Sequence, residues 1–298
     1  FRHIWEFWWP LYPGALLAME LTRLEAWQLA ALHLPLTFAA LAGGWLFVLR
    51  HVPHLPEERL PAGPPAALGP LLAPIFIVVG VYALVGGGYA GLQRVVPDLG
   101  KMNRYIPMVI GAFAAMAWLQ RRRPLAGPAW QEILLSRKTW MLVALVAAIR
   151  LFGAVVEAKL PGGTTLATEM RNDLARWHFV LGSHDVKVPP VALVALIPFV
   201  CGMVTGITVA YIGTSFPIVL GLLGDAPATG SFLATIVLAY ACGFLGMMLS
   251  PIHICLVVTA EHFDSRLFRT LAGLLKPAAV VLAVAVGMHL ALARFWPA

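Results

Sequence analysis

Charge is what this chain has least of. Of its 298 residues only 12% are Asp, Glu, Lys or Arg, where a soluble domain carries roughly 25%. Half the usual surface charge is missing, which excludes an ordinary water-soluble globule. Cysteine is scarce as well. Cys201, Cys242 and Cys255 all lie inside apolar blocks, where a thiol behaves as a small hydrophobe; their spacing predicts neither a disulfide framework nor a zinc motif. HExxH, CxxC and GxSxG patterns are missing too. Ser215 and Ser250 therefore have no protease context, and Glu57 and Glu58 sit in a proline-rich stretch. No enzyme, cofactor or resident metal is expected. His253, Cys255 and His262 make a poor ligand set, because positions 253 and 255 point to different faces of a helix.

Other absences narrow the class further. The chain opens FRHIWEFWWP, without the basic start, apolar run and small-residue cleavage site of a signal peptide. Strands of about ten alternating residues, the mark of an outer-membrane barrel, do not occur. Acids number 14 against 21 bases, giving a net charge of +7. That excess fits cytoplasmic loops under the positive-inside rule better than a nucleic-acid footprint.

What the chain does have is long apolar runs, with 60% hydrophobic residues. Blocks at 28–49, 70–92, 105–120, 139–158, 189–223, 228–260 and 271–293 are near or above the 20 or so residues that cross a bilayer core. The opening segment 4–22 adds a first span behind an aromatic belt of Trp5, Trp8, Trp9 and Tyr12. The fold class is all-α: a polytopic transmembrane protein of about eight hydrophobic units, forming one membrane domain over 1–298. The lipid bilayer is its first partner, in the cell membrane of a prokaryote. The stretch 50–69, with five prolines, reads as an extended loop. GGGYAG at 86–91 offers small residues for close helix approach. Residues 121–138 form a basic loop, and 159–188 a polar loop or amphipathic segment holding a short helix near 166–180.

Residues 189–263 carry the functional signal. The runs 189–223 and 228–260 are each too long for one ordinary span and too short for two. Each is broken near its middle, at CGMVTGITVAYIGTSFP (201–217) and CGFLGMMLSP (242–251). Irregular backbone at membrane depth survives only when buried in protein or lining a wet cavity. Paired interruptions of this kind point to a transporter binding site. Two discontinuous, broken or re-entrant helices are expected here.

Three stretches also carry a family resemblance: FRHIWEFWWPLYPG (1–14), LFGAVVEA (151–158), and the pair GITVAYIGTSFPIV (206–219) with SPIHICLVVTAEHF (250–263). Together they resemble the uncharacterised integral-membrane family filed as domain of unknown function four hundred and one, itself similar to the ion-transporter superfamily of secondary carriers. The resemblance implies an inverted-repeat scaffold, each repeat with a hairpin and a broken helix. It also implies a further half upstream of the FRH stretch, making this chain the C-terminal portion. It names no ligand.

The function expected is secondary transport of small organic or inorganic anions, coupled to Na⁺ or H⁺, with a homodimer as one open arrangement. The alternative is a non-transporting membrane scaffold or assembly protein. Thr205, Thr208, Gly213, Thr214, Ser215 and Pro217 from the first break, with Ser250, Pro251 and His253 from the second, are the candidate substrate- or ion-binding residues. Segments 213–217 and 249–253 are expected to meet. Pro251 disfavours helix at Ser250, which would put Ser250 at the N-cap of the resuming helix, with its hydroxyl free for a ligand. His253 follows, with an unperturbed pKa near 6.5. Arg150 and Glu157, on one helix face, and Glu261 are the charged intramembrane candidates, since ionisable groups in a span usually face a partner or a cavity. Glu261 lies about 12 Å along a helix from His253, too far to pair with it directly.

Overall fold

The computed structural model describes residues 2–9, 12–52, 68–96, 100, 102–103, 105–176, 178–181, 184–187, 189–224 and 227–295. The proline-rich loop with Glu57 and Glu58 lies mostly outside them. The described chain is helical apart from one short hairpin, β1 (His178–Leu181) and β2 (His184–Lys187), which pair antiparallel. Among the described residues, four helical stretches are long and apolar enough to cross a membrane: Ala26–His51, Leu72–Val95, Thr229–Met248 and Leu267–Phe295. They make this a membrane-embedded protein.

The opening residues behave differently from the first span expected of them. They form a 3-10 helix at Arg2–Phe7 and then α1 (Pro13–Thr22), only 10 residues long. Ten residues of helix reach about 15 Å, half of a hydrocarbon core. Proline fixes φ and has no N–H to give, so Pro13 sits in the first turn of α1, where an N–H has no helical partner. The segment instead packs inward: Phe7, Ala15, Ala18 and Met19 belong to the core. Behind it, α2 (Ala26–Phe47) starts with a reciprocal capping box, Glu25 and Gln28 each bonding the other's backbone.

Contacts divide the chain into two compact units, 1–53 with 142–298, and 54–141. In the smaller unit α3 (Leu68–Val95) pairs with α4 (Ile106–Arg122), and α5 (Gly127–Leu135) occupies part of the basic 121–138 stretch. Gly111 makes the α3–α4 approach possible, since a Cβ there would lie 2.9 Å from the Val78 carbonyl. The GGGYAG glycines serve no such contact: a Cβ at Gly86, Gly87, Gly88 or Gly91 would meet nothing within 4 Å.

The larger unit holds α6 from residue 142 onward (α6 is Arg137–Glu157), α7 (Leu166–Ala175), α8 (Pro190–Thr205), α9 (Thr208–Leu223), α10 (Thr229–Met248), α11 (Ile254–His262) and α12 (Leu267–Phe295), with α1 and α2. Helix α10 is its centre, packed against α8, α9, α12 and α2. Small residues bring it there. A Cβ at Gly202 would collide with the Gly243 carbonyl, one at Gly246 with the Phe199 carbonyl, and one at Gly243 with the Tyr211 ring. Helices α8 and α10 thus touch backbone to backbone, the small-residue packing that joins helices in lipid.

Candidate functional site

Both long apolar runs are interrupted. Helix α8 ends at Thr205 and α9 begins at Thr208, with Gly206 left-handed at φ 63° between them. A left-handed residue just past the last turn is a common helix terminator, and glycine adopts it without a Cβ clash. Helix α10 ends at Met248 and α11 begins at Ile254. Proline at 251 supplies no N–H and disfavours helix at Ser250, and here the chain leaves the helix before it.

The interruptions come together, at a different register from the one expected. Ser250 Oγ donates to the Met203 carbonyl at 2.6 Å, and His253 Nδ1 lies 2.8 Å from the Gly206 carbonyl. A Cβ at Gly206 would stand 3.2 Å from the His253 backbone. Residues 203–208 therefore meet 247–253, whereas 213–217 lie inside α9. Pro217 is tolerated there as a mid-helix residue, because neighbouring helices and hydroxyls can re-satisfy the one bond it removes. Thr214 donates to the Ala210 carbonyl at 2.8 Å and Ser215 to the Tyr211 carbonyl at 2.6 Å. These hydroxyls are spent on their own helix, and Gly213 is buried in it. Thr205 likewise donates back to Cys201 at 2.7 Å.

The N-cap of α11 is His253, not Ser250. Ser250 lies in the turn before it, buried, donating to Met203 and accepting from the Ile252 N–H at 3.3 Å. Pro251 is exposed. Glu261 and His262 are exposed at the far end of α11, and His262 stacks edge-on against Phe263. The side chains of Arg150 and Glu157, on α6, lie outside the described residues.

What completes the crossing is the opening segment. Glu6, only 1% exposed, accepts from the Tyr12 hydroxyl at 2.5 Å and meets Thr208 Oγ1 and His3 Nδ1 with its two carboxylate oxygens. Thr208 Oγ1 also lies 3.0 Å from Met247 Sδ. Thr208 is the first residue of α9, so the carboxylate sits at the positive end of that helix. The backbone of the same segment is held too: Tyr240 donates to the Glu6 carbonyl, and His33 Nδ1 is 3.1 Å from that of Phe7. His3 Nε2 in turn lies 3.3 Å from His253 Nε2.

Sequence reasoning missed Glu6, His3, Tyr12 and Tyr240. Trp and Tyr around Glu6 read as an interfacial belt, which masked the stronger signal: a carboxylate in an apolar run, which by default belongs to a site. A cavity of about 200 Å³ opens beside the cluster between the opening segment, α2, α10 and α12. Its lining is apolar, with Phe244, Met248, Leu249, Pro277 and Val281, and His3 is the one ionisable group among the described lining residues.

Comparison with known proteins adds a family and no activity. No curated protein and no solved structure matches the chain. Residues 1–84 and 137–292 match the profile of a family described as protein of unknown function (DUF401). The matched residues take in the opening segment, α1, α2 and both interrupted runs, so this membrane-embedded chain belongs to that family.

Proposed function

We propose that the protein is a secondary carrier moving small anions across the membrane, coupled to Na⁺ or H⁺. The observation that carries this reading is the meeting of two helix interruptions on a buried carboxylate. Unwound backbone in a bilayer costs several kcal/mol for each unsatisfied group, and an ionisable side chain in the same place costs more. Paired interruptions with an ionisable group between them are the usual make-up of a carrier's binding region. A simple packing kink would have no use for the acid.

Glu6 is assigned the coupling role: the cation that travels with the solute offsets its charge. Thr208, Ser250 and His253 hold the frame around it, while Thr214 and Ser215 fall outside the proposed site. The adjoining cavity, apolar with a single imidazole at its edge, suits an organic anion with a short apolar body and one carboxylate. Glu261, Arg150 and Glu157 have no part in this proposal.

Uptake by proteoliposomes tests it, using a panel of radiolabelled short-chain carboxylates under imposed Na⁺ or H⁺ gradients. The expected result is gradient-driven accumulation of at least one carboxylate, lost in Glu6→Gln protein that still elutes as a folded, monodisperse species. Reconstituted protein that accumulates none of the panel under either gradient would contradict the reading and favour a scaffold.

A further inference from the structure

We propose that His3, His253 and Cys255 form a metal site for a zinc-class divalent ion at the crossing of the two interruptions. The outer contacts of the two imidazoles fix their orientation. The Gly206 carbonyl can only accept, so His253 Nδ1, 2.8 Å away, carries a hydrogen. The Glu6 carboxylate already accepts from the Tyr12 hydroxyl, and an ionised carboxylate has no hydrogen to donate. His3 Nδ1, which meets the same carboxylate, therefore carries one too. The two Nε2 atoms face each other at 3.3 Å, close enough for one positive ion to bind both.

The separation fits a metal ion. Two nitrogens bound tetrahedrally at about 2.0–2.1 Å lie about 3.3–3.4 Å apart. The ligand atoms of His3, His253 and Cys255 all lie within 4.8 Å of one another, so closing the thiolate onto the ion needs a shift on the order of 1 Å. Cys255 can make it, being half-buried on the first turn of α11, where the helix dipole favours an anionic ligand. The outer shell is also in place. Ligating histidines donate their second N–H to a carboxylate or a carbonyl, and here Glu6 and Gly206 provide one of each. A divalent ion with one thiolate and two neutral imidazoles leaves a single positive charge, which the Glu6 carboxylate balances. Two nitrogens and one sulfur, with a fourth position open, suit zinc.

Helical spacing alone argues against ligation by 253, 255 and 262. Spacing has that force only along a continuous helix. His253 precedes α11 as its cap, and the third donor comes from the opening segment instead of from His262. The site stands without the transport reading: a protein that binds the ion and moves no solute keeps the site and loses the carrier.

The test uses untagged full-length protein in detergent, stripped with chelator and titrated with Co²⁺. Expected are one ion per chain, the visible bands of four-coordinate Co²⁺ with a thiolate-to-metal charge-transfer band, and displacement by Zn²⁺. Cys255→Ser should remove the charge-transfer band and leave the melting temperature unchanged. Glu6→Gln should weaken Co²⁺ binding about 10–100-fold, the range for loss of an outer-shell partner, and His262→Ala should bind as the parent does. Well-folded parent protein without these bands would overturn the site and leave a shared proton between the rings. A charge-transfer band that survives Cys255→Ser would overturn it equally.

Discussion

Helices α3 and α10 are both long and apolar enough to cross a bilayer, and by composition alone they are interchangeable. Their surroundings are opposite. In α10, 78% of the apolar window is buried against protein; in α3 it is 6%. Glycines are present in both. In α10, Gly243 and Gly246 sit where a Cβ would strike the Tyr211 ring or the Phe199 carbonyl. In α3, Gly80, Gly86, Gly87, Gly88 and Gly91 would meet nothing. Hydropathy reports that a helix tolerates lipid. It does not report whether lipid or another helix covers it, because apolar tails and apolar side chains are equivalent solvents.

The contrast can be broken most sharply at those glycines. Gly246→Leu should prevent folding or cost more than about 3 kcal/mol, because the new side chain strikes helical backbone that cannot yield. The matched change Gly87→Leu should stay within about 0.5 kcal/mol. Thermal melts of both variants in one detergent provide the comparison, and equal losses would erase it. Within the larger unit, Glu6→Gln should cost about 1–3 kcal/mol, since hydrogen-bonding groups on three other residues are left imperfectly matched. The same melts report it; an unchanged melting temperature would mean that the cluster contributes nothing to stability.

Gly206→Ala should cost about 1–2 kcal/mol from the left-handed backbone alone, with further crowding against His253. Ser250→Ala should follow at about 1 kcal/mol for its bond to Met203. Thr214→Val should be smallest, within about 0.5 kcal/mol, because its hydroxyl only doubles a bond on its own helix. A melting series that reversed Gly206 and Thr214 would move the interruption back toward residues 213–217.

How much of this was legible beforehand depends on how local the signal is. The apolar blocks 28–49, 70–92, 105–120 and 271–293 correspond to α2, α3, α4 and α12, since length and hydropathy are properties of the segment itself. That helices end within the runs 189–223 and 228–260 was legible as well, though not at which residues. Pro217 looked like a breaker and Gly206 like one glycine among many. In the structure the left-handed Gly206 ends α8, while Pro217 is carried inside α9. Backbone conformation and tertiary support decided between them, and neither is written in spacing. Ser250 and His253 were identified, but with the cap assigned one turn early. The partners of Glu6 and His3 were out of reach for a different reason. Thr208 lies 202 residues from Glu6 and His253 lies 250 from His3, and no periodicity connects such distances.

The central claim is that function sits where the interruptions cross at Glu6, and not on the hydroxyl pair one turn or more into α9. The measurement that tests it most directly is gradient-driven carboxylate uptake by Glu6→Gln and Ser215→Ala proteins reconstituted side by side. Glu6→Gln is expected to abolish uptake, and Ser215→Ala to leave it within about twofold, the effect of a change worth no more than about 0.5 kcal/mol. Uptake that survives Glu6→Gln and fails in Ser215→Ala would contradict the account.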